Sequence, residues 1–210
     1  MPNRPPRPLN AAAAIAILAL AAACGGCQAG RQVPVQRLIQ HQALIDFSGL
    51  GPPETFDAVK VRAAVPQAWA PLPVERAALY THQQWKSPSA RTAVGVIHGR
   101  LPLPLGAGVV LWMARQQYAR QSPGGPEPAE WTDPLGRRWF EGETPQYHAR
   151  GYVIVDGLDA WVAYAGFRID VSPEPADIAL AARCLDAIVP TYAGQKVPTT
   201  GPATQAATGN

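Results

Sequence analysis

Two apolar runs joined by a short turn constrain the fold of this chain more than any other feature. Residues 147–155 and 159–168 each contain an apolar run, and we interpret both as strands. Asp156 and Gly157 lie between the runs, and glycine tolerates the positive φ of a tight hairpin turn. The sequence therefore predicts an antiparallel β-hairpin.

The remaining patterns predict the order of the other elements. Alternation predicts further strands at residues 56–65, 79–86, 91–100 and 137–141. Apolar residues at helical spacing predict helices over residues 105–121 and 173–188. The resulting order, β-β-β-α-β-β-β-α, excludes alternating βαβ units. It predicts an α+β fold in which one antiparallel sheet is covered by helices.

An apolar stretch near the N-terminus has the length and flanks of an export signal. Arg4 and Arg7 supply a positive region, and residues 11–22 form an apolar run that ends in small residues. This run is shorter than the roughly 20 residues that a membrane-spanning helix needs. The sequence therefore predicts a signal peptide at residues 1–23.

The cysteine that follows this run resembles the lipobox cysteine of bacterial lipoproteins. Residues 20–24 read LAAAC and precede two glycines, with the leucine one residue further from the cysteine than the family pattern prefers. The resemblance implies that Cys24 is acylated and anchors the protein to a membrane of the cell envelope, facing the periplasm or exterior. The two residues directly after Cys24 are glycines rather than acidic residues, which favours the outer membrane where one exists. Three alternatives remain open: lipidation at Cys27, a cleaved secretory signal without lipid, and an uncleaved anchor.

The charge balance argues against nucleic acid as a partner. The chain has 18 basic and 15 acidic side chains, and residues 1–23 hold two of the basic ones and no acidic one. The mature chain is therefore nearly neutral. Binding to phosphates requires a concentrated basic face, and no run of basic residues longer than Arg137-Arg138 is present. We expect no nucleic-acid partner.

Composition divides the mature chain into three parts. Residues 24–55 are rich in Gln, Gly and Pro and are predicted to be a lipidated N-terminus and flexible tether, with room for one short helix. Residues 56–192 contain the predicted strands and helices and should form a single domain. Residues 193–210 are mostly small and polar, and are predicted to be a disordered tail.

The histidines are the main candidates for acid–base or metal chemistry. They are His41, His82, His98 and His148. His82 and His98 lie on adjacent predicted strands, where they would form an acid–base pair or metal site if they faced each other. No HExxH or GxSxG motif accompanies them. We favour partly exposed, hydrogen-bonded histidines, and we predict no catalytic residue, no metal site and no cofactor.

Charged residues cluster between positions 137 and 150. Among them are Arg137, Glu141, Glu143, His148 and Arg150, on two neighbouring predicted strands. Such clusters usually form a solvated sheet surface, where ion pairs contribute little to stability. We therefore expect an outer face here rather than a binding site.

Two tryptophans stand beside polar turns and are candidates for contact with a partner. Trp85 precedes Lys86-Ser87-Pro88, and Trp131 precedes a Thr-Asp-Pro turn. An exposed loop tryptophan is typical of a surface that binds a protein, peptide or glycan. The alternative is that each ring folds back onto the core.

Cys184 lies in the last predicted helix, within one turn of Leu180 and Ile188. Its position on an apolar face predicts a core thiol rather than a reactive one. A disulfide between Cys184 and Cys27 is left open.

The order of elements and several short motifs together resemble the PsbP/Mog1-like domains. The motifs are VPQAW at residues 65–69, a hairpin strand with Tyr164 and Phe167, and IVP at residues 188–190. The resemblance covers about residues 56–191, and the Pro/Leu-rich passage at 101–105 departs from the pattern. Members include the extrinsic subunit of photosystem II, nuclear-transport and secretion-accessory proteins, and many bacterial lipoproteins. The resemblance implies the fold and an adaptor or binding role, and it transfers no functional residue.

These observations together predict a non-enzymatic, lipid-anchored envelope protein that binds or supports another envelope protein or complex. The alternative from another class is a secreted or periplasmic hydrolase or metal-dependent enzyme that uses His82 and His98. A third reading is a soluble periplasmic ligand-binder. An enzyme requires the two histidines to converge in a pocket, whereas a binding module requires an exposed apolar patch.

Overall fold

The computed structural model describes residues 35–121 and 125–191, and within them the chain forms three helices and eleven strands. The helices are α1 (Val35–Gln42), α2 (Ala107–Gln121) and α3 (Pro175–Asp186). The strands are β1 (Glu54–Phe56), β2 (Val61–Ala63), β3 (Ala70–Pro71), β4 (Glu75–Arg76), β5 (Tyr80–Lys86), β6 (Thr92–Arg100), β7 (Ala129–Thr132), β8 (Arg138–Glu143), β9 (Tyr147–Asp156), β10 (Asp159–Arg168) and β11 (Val189–Pro190). The predicted signal peptide, Cys24, Cys27 and the tail from residue 193 lie outside the described residues.

One large antiparallel sheet organises the domain, and the predicted hairpin lies at its centre. The strand order is β3-β5-β6-β10-β9-β8-β7, with β4 also paired to β5. Strands β9 and β10 pair from Asp159 opposite Asp156 to Arg168 opposite Tyr147. Gly157 in the turn has a φ of +58°, which is the left-handed conformation that the turn requires. The predicted hairpin and the α+β fold with an antiparallel sheet are confirmed.

The two faces of the sheet are covered by different elements. The front face, which carries Val94, Val96 and Ile154, packs against α1, α3 and a small sheet of order β1-β2-β11. The back face, which carries Val153 and Val155, packs against α2. Both layers bury apolar surface, the main favourable term in folding. Helix α3 lies mainly over β6 and β10, and on β9 it contacts Tyr152.

Buried hydrogen bonds hold α3 and the small sheet to the large sheet. The Tyr152 hydroxyl on β9 donates to the carbonyl oxygen of Leu185 at 2.7 Å. The Trp161 indole on β10 donates to the carbonyl oxygen of Val59 at 3.0 Å. Both rings are almost fully buried, so each polar atom has to find a partner within the protein.

Glycine at position 151 permits close packing within the sheet. A Cβ atom there would lie 2.5 Å from the carbonyl oxygen of Ala163 and 2.7 Å from the Phe140 ring. Both distances are shorter than real contacts allow, so the β9–β10 pair depends on the absence of a side chain at this position.

The predicted strand at residues 56–65 is instead two short strands, and that prediction was wrong. Strands β1 and β2 pair with each other, with Glu54 opposite Ala63. A 3-10 turn at Asp57–Val59 joins them, and Lys60 follows in the left-handed region with a φ of +49°. The turn buries Val59 against the large sheet. The stabilisation from this burial depends on contacts with distant strands, which the alternation of residues along the sequence does not reveal.

The described part of the predicted tether belongs to the packed domain rather than to a flexible linker. Helix α1 buries Val35 and Leu38 in the front core, and the Gln42 side chain donates a hydrogen bond to the carbonyl oxygen of Ala187. Further along, Leu50 is buried and forms a bridge with Pro66. Val35, Leu38 and Leu50 of this segment therefore belong to the front core.

Candidate functional site

A groove of about 660 Å³ lies on the front face of the large sheet, beside α3. Its floor is formed by residues of β8, β9 and β10, among them Trp139, Arg150 and Phe167. Its walls come from α3, from the loop between β7 and β8, and from the end of α1. The volume is within the range of pockets that hold small ligands or a few residues of a peptide.

A pair of stacked tryptophans lines the end of the groove nearest β7. Trp131 on β7 lies directly opposite Trp139 on β8, which places both indoles on the front face. Their ring centroids are 5.8 Å apart and the planes differ by 6°. This parallel pair presents a flat apolar wall to whatever occupies the groove.

The guanidinium of Arg150 lies over this aromatic pair. Its carbon is 4.8 Å from the centroid of Trp139 and 5.3 Å from that of Trp131. Glu141 is opposite Arg150 in the β8–β9 register, yet no ion pair joins Arg150 to a carboxylate among the described residues. The contact is a cation–π interaction, and it leaves the N–H donors of an exposed arginine open to the groove.

Arg137 is buried at the junction of the β7–β8 loop and α3. Its side chain is 5% exposed; Nε donates to Asp133 at 2.6 Å and one terminal nitrogen donates to Asp186 at 2.9 Å. The Trp139 indole also donates to Asp133, at 2.8 Å. Burial by itself would raise the pKa of Asp133, but the hydrogen bonds from Trp139 and Arg137 outweigh it and hold that pKa below 3.8. Asp133 is therefore a buried carboxylate that stays ionised.

Two buried nitrogen atoms of groove-lining residues have no hydrogen-bond partner among the described residues. They are Nη1 of Arg137 and Nε2 of His41. Buried polar atoms without partners are uncommon in native proteins, and each calls for an explanation such as a bound water or ligand. The two unpaired nitrogens thus lie beneath the surface of the groove rather than on it.

His148 forms the opposite rim of the groove together with two glutamates. Its Nε2 lies 2.8 Å from Glu141, and its Nδ1 lies 3.1 Å from Glu143. A neutral imidazole has one N–H, so only the doubly protonated ring donates to both carboxylates at once. The charged cluster at residues 137–150, expected to be a solvated outer face, is thus divided between a buried ion pair and the rim of a groove.

The structure separates the two tryptophans that the sequence analysis grouped. Trp85 is 3% exposed and packs edge-on against Phe56 at a centroid distance of 4.7 Å, so it offers no surface to a partner. Trp131 is half-buried and lines the groove, where its contact with a partner stays a prediction. Sequence reasoning did not single out Arg137 or Arg150 as site residues, although both share the front face with the tryptophans.

His82 and His98 lie on opposite faces of the large sheet. In the β5–β6 register Thr81 is opposite His98, whereas His82 is opposite Ile97. On the back face, His82 Nε2 contacts the Tyr164 hydroxyl at 2.8 Å. On the front face, His98 Nε2 contacts Asp159 at 2.6 Å. The two imidazoles do not form a common site, because adjacent residues of a strand point in opposite directions.

Cys184 is fully buried in α3, as predicted, and burial raises the pKa of its thiol to about 12.

Within residues 35–121 and 125–191, no group of three or more His, Cys, Asp or Glu side chains is arranged to hold a metal ion. In the same residues, no helix combines the length and apolarity that crossing a bilayer requires.

Comparison with solved structures gives a likeness in fold. No protein-family model matches the chain, and no curated protein is significantly similar to it. The chain is similar to the solution structure of cyanobacterial PsbP (CyanoP) from Synechocystis sp. PCC 6803, with a TM-score of 0.48 and 12% sequence identity. The match covers 79% of this chain and 98% of the cyanobacterial one.

Proposed function

We propose that the protein is a lipid-anchored component of the bacterial cell envelope and acts as a non-enzymatic binding module for another envelope protein or complex. The groove beside α3 carries the proposal, because it joins an apolar wall, Trp131 and Trp139, to charged groups on its rim. Tryptophan and arginine side chains grouped on one surface are typical of sites that bind a protein partner. The resemblance of residues 56–191 to PsbP/Mog1-like domains agrees with a binding role.

The anchor is supported by the N-terminal pattern alone. Acylation at Cys24 would hold the protein at a membrane, because each buried methylene of an acyl chain contributes about 0.8 kcal/mol. The enzyme alternative built on His82 and His98 loses its support, since the two side chains belong to opposite faces of the sheet.

The anchor is tested by intact mass and membrane fractionation in a bacterium that processes lipoproteins. We expect a mature species that begins at Cys24, carries a diacylglyceryl group and sediments with membranes. The matched control is Cys24→Ala, which should be found in the soluble fraction. A soluble, unmodified native protein would reject the anchored class and favour a secreted binder.

The groove is tested in the same cells with a photocrosslinking residue at position 178. Ile178 lines the groove and is 39% exposed. Leu79 has the same exposure, 40%, but does not line the groove, and it is the matched control. We expect a discrete adduct at position 178 that is absent at position 79 and is lost in Trp131→Ser. Equal labelling at both positions, or an adduct that persists without Trp131, would contradict the proposal.

A further inference from the structure

The charges that line the groove do not balance. The charged side chains of the lining, apart from its histidines, are Asp133, Glu141, Glu143, Asp186, Arg137 and Arg150. Asp133 and Arg137 form a buried ion pair that is neutral as a unit. Glu141 lies opposite Arg150 in the β8–β9 register, so these two charges offset each other. With neutral histidines, the lining keeps an excess of two negative charges, on Glu143 and Asp186.

The two excess carboxylates lie toward opposite ends of the groove. Asp186 is the last residue of α3 and lies 2.9 Å from the Arg137 guanidinium, which also contacts the Trp139 ring. Glu143 is the last residue of β8 and contacts His148. Trp139 and Glu143 are four residues apart along β8, which corresponds to about 13 Å. The side chains of Asp186 and Glu143 are 43% and 62% exposed, so both carboxylates are accessible from solvent.

Apolar side chains line the groove between these ends. They include Trp131, Leu135, Phe167 and Ile178, and Ile178 is 39% exposed. A small cation held at either carboxylate would leave this apolar surface in water. An extended polypeptide covers it, which is the arrangement expected where apolar side chains surround a binding site. The apolar surface therefore favours a protein segment over a free small molecule.

We propose that the groove binds an extended segment of the partner protein in which two basic residues, four positions apart, flank a large apolar residue. This inference rests on the proposed function, for which it names the chemistry of the partner. In an extended chain, residues i, i+2 and i+4 point to the same side and span about 13 Å. The basic side chains then lie at Asp186 and Glu143, where their charge complements the carboxylates. The apolar side chain between them packs against Trp131 and Phe167.

The test compares two peptides that differ only in charge. Acetyl-Lys-Ser-Phe-Ser-Lys-amide and acetyl-Gln-Ser-Phe-Ser-Gln-amide are titrated into the purified protein at low salt and neutral pH, with binding measured by calorimetry. We expect the glutamine peptide to bind about tenfold more weakly, because each of two partly exposed ion pairs contributes about threefold. Glu143→Gln should weaken binding of the lysine peptide about threefold and leave the glutamine peptide unchanged. Glu127→Gln, which removes an exposed glutamate outside the groove, should change neither.

Three results would overturn the inference: equal binding of the two peptides, no binding of either, or a full preference for lysine in Glu143→Gln. Tighter binding of spermine than of the lysine peptide would replace the protein partner with a free polyamine. An unchanged thermal midpoint shows that Glu143→Gln remains folded. Binding of the lysine peptide without crosslinking at position 178 in cells would reject the proposed function and leave the site for a basic segment in place. Crosslinking at position 178 without a preference for the lysine peptide would do the reverse.

Discussion

Replacing Arg137 with methionine should destabilise the domain strongly, because it leaves a buried carboxylate without its cation. Asp133 has 12% of its side chain exposed, and the guanidinium of Arg137 is its ionic partner at 2.6 Å. Removing one member of a buried ion pair typically costs about 3–5 kcal/mol. Asp133 keeps its hydrogen bonds to the Trp139 indole and to a backbone N–H, so we expect about 3 kcal/mol, at the lower end.

The second partner, Asp186, adds little to this cost. Its side chain is 43% exposed and can be solvated once Arg137 is gone. A loss of about 3 kcal/mol in a chain of this size corresponds to a fall in Tm of roughly 6–12 °C. The assay is urea unfolding followed by tryptophan fluorescence, since Trp139 lies in contact with the substituted side chain.

The neighbouring arginine provides a matched control. Arg138 has 43% of its side chain exposed and pairs with Glu130 at 3.8 Å, a loose surface contact. Arg138→Met should therefore change the free energy of unfolding by less than about 0.5 kcal/mol. Equal effects of the two substitutions would refute the argument that burial of the pair determines the cost.

The pH dependence gives an independent check on the same pair. The pKa of Asp133 is depressed in the folded protein, so its contribution to stability is complete above the unfolded value of 3.8 and is lost as the pH falls through the folded pKa. In Arg137→Met the unpaired carboxyl gains stability on protonation. The difference between the two proteins should therefore shrink below about pH 4, and a constant difference would contradict the mechanism.

Three further predictions concern the sheet and its faces. Gly151→Ala should lower the free energy of unfolding in urea by about 3 kcal/mol, because the added Cβ would meet a backbone oxygen. In the control Gly157→Ala the added Cβ meets no atom, so only backbone strain of about 1 kcal/mol is expected, and a larger loss in the control would refute the packing argument. Tyr152→Phe should cost about 1–2 kcal/mol, because it leaves the carbonyl oxygen of Leu185 without its hydroxyl donor, and a neutral effect would place a water there. Burial lowers the pKa of His98 below 6.5 despite its bond to a carboxylate, so the free energy of unfolding should fall as the pH drops below 6.5. His98→Gln should lose less stability than the native protein between about pH 7 and pH 5, and parallel stability curves of the two proteins would show that another group titrates.

Local features of the sequence determined the central hairpin and the last helix. The turn at Asp156-Gly157 and the apolar runs on both sides of it depend only on neighbouring residues, and the observed β9–β10 pairing follows them. The same is true of α3, where proline and acidic residues begin the helix and Cys184 lies on its apolar face. Alternation misled at residues 56–65, because a turn that buries Val59 has the same apolar spacing as a strand.

The candidate site was decided by the tertiary structure. Whether His82 and His98 share a face depends on the register of β5 against β6. Trp85 is part of the core because Phe56 and the small sheet cover its position on the front face. The groove forms where α3, which lies mainly over β6 and β10, meets the front face of β8 and β9. Arg137 is buried where α3 brings Asp186 to it, across a sequence separation of 49 residues, and where it packs on the Tyr152 ring. The sequence determined which residues form strands and helices, since those preferences are local, whereas burial and the grouping of charges depend on contacts between distant segments.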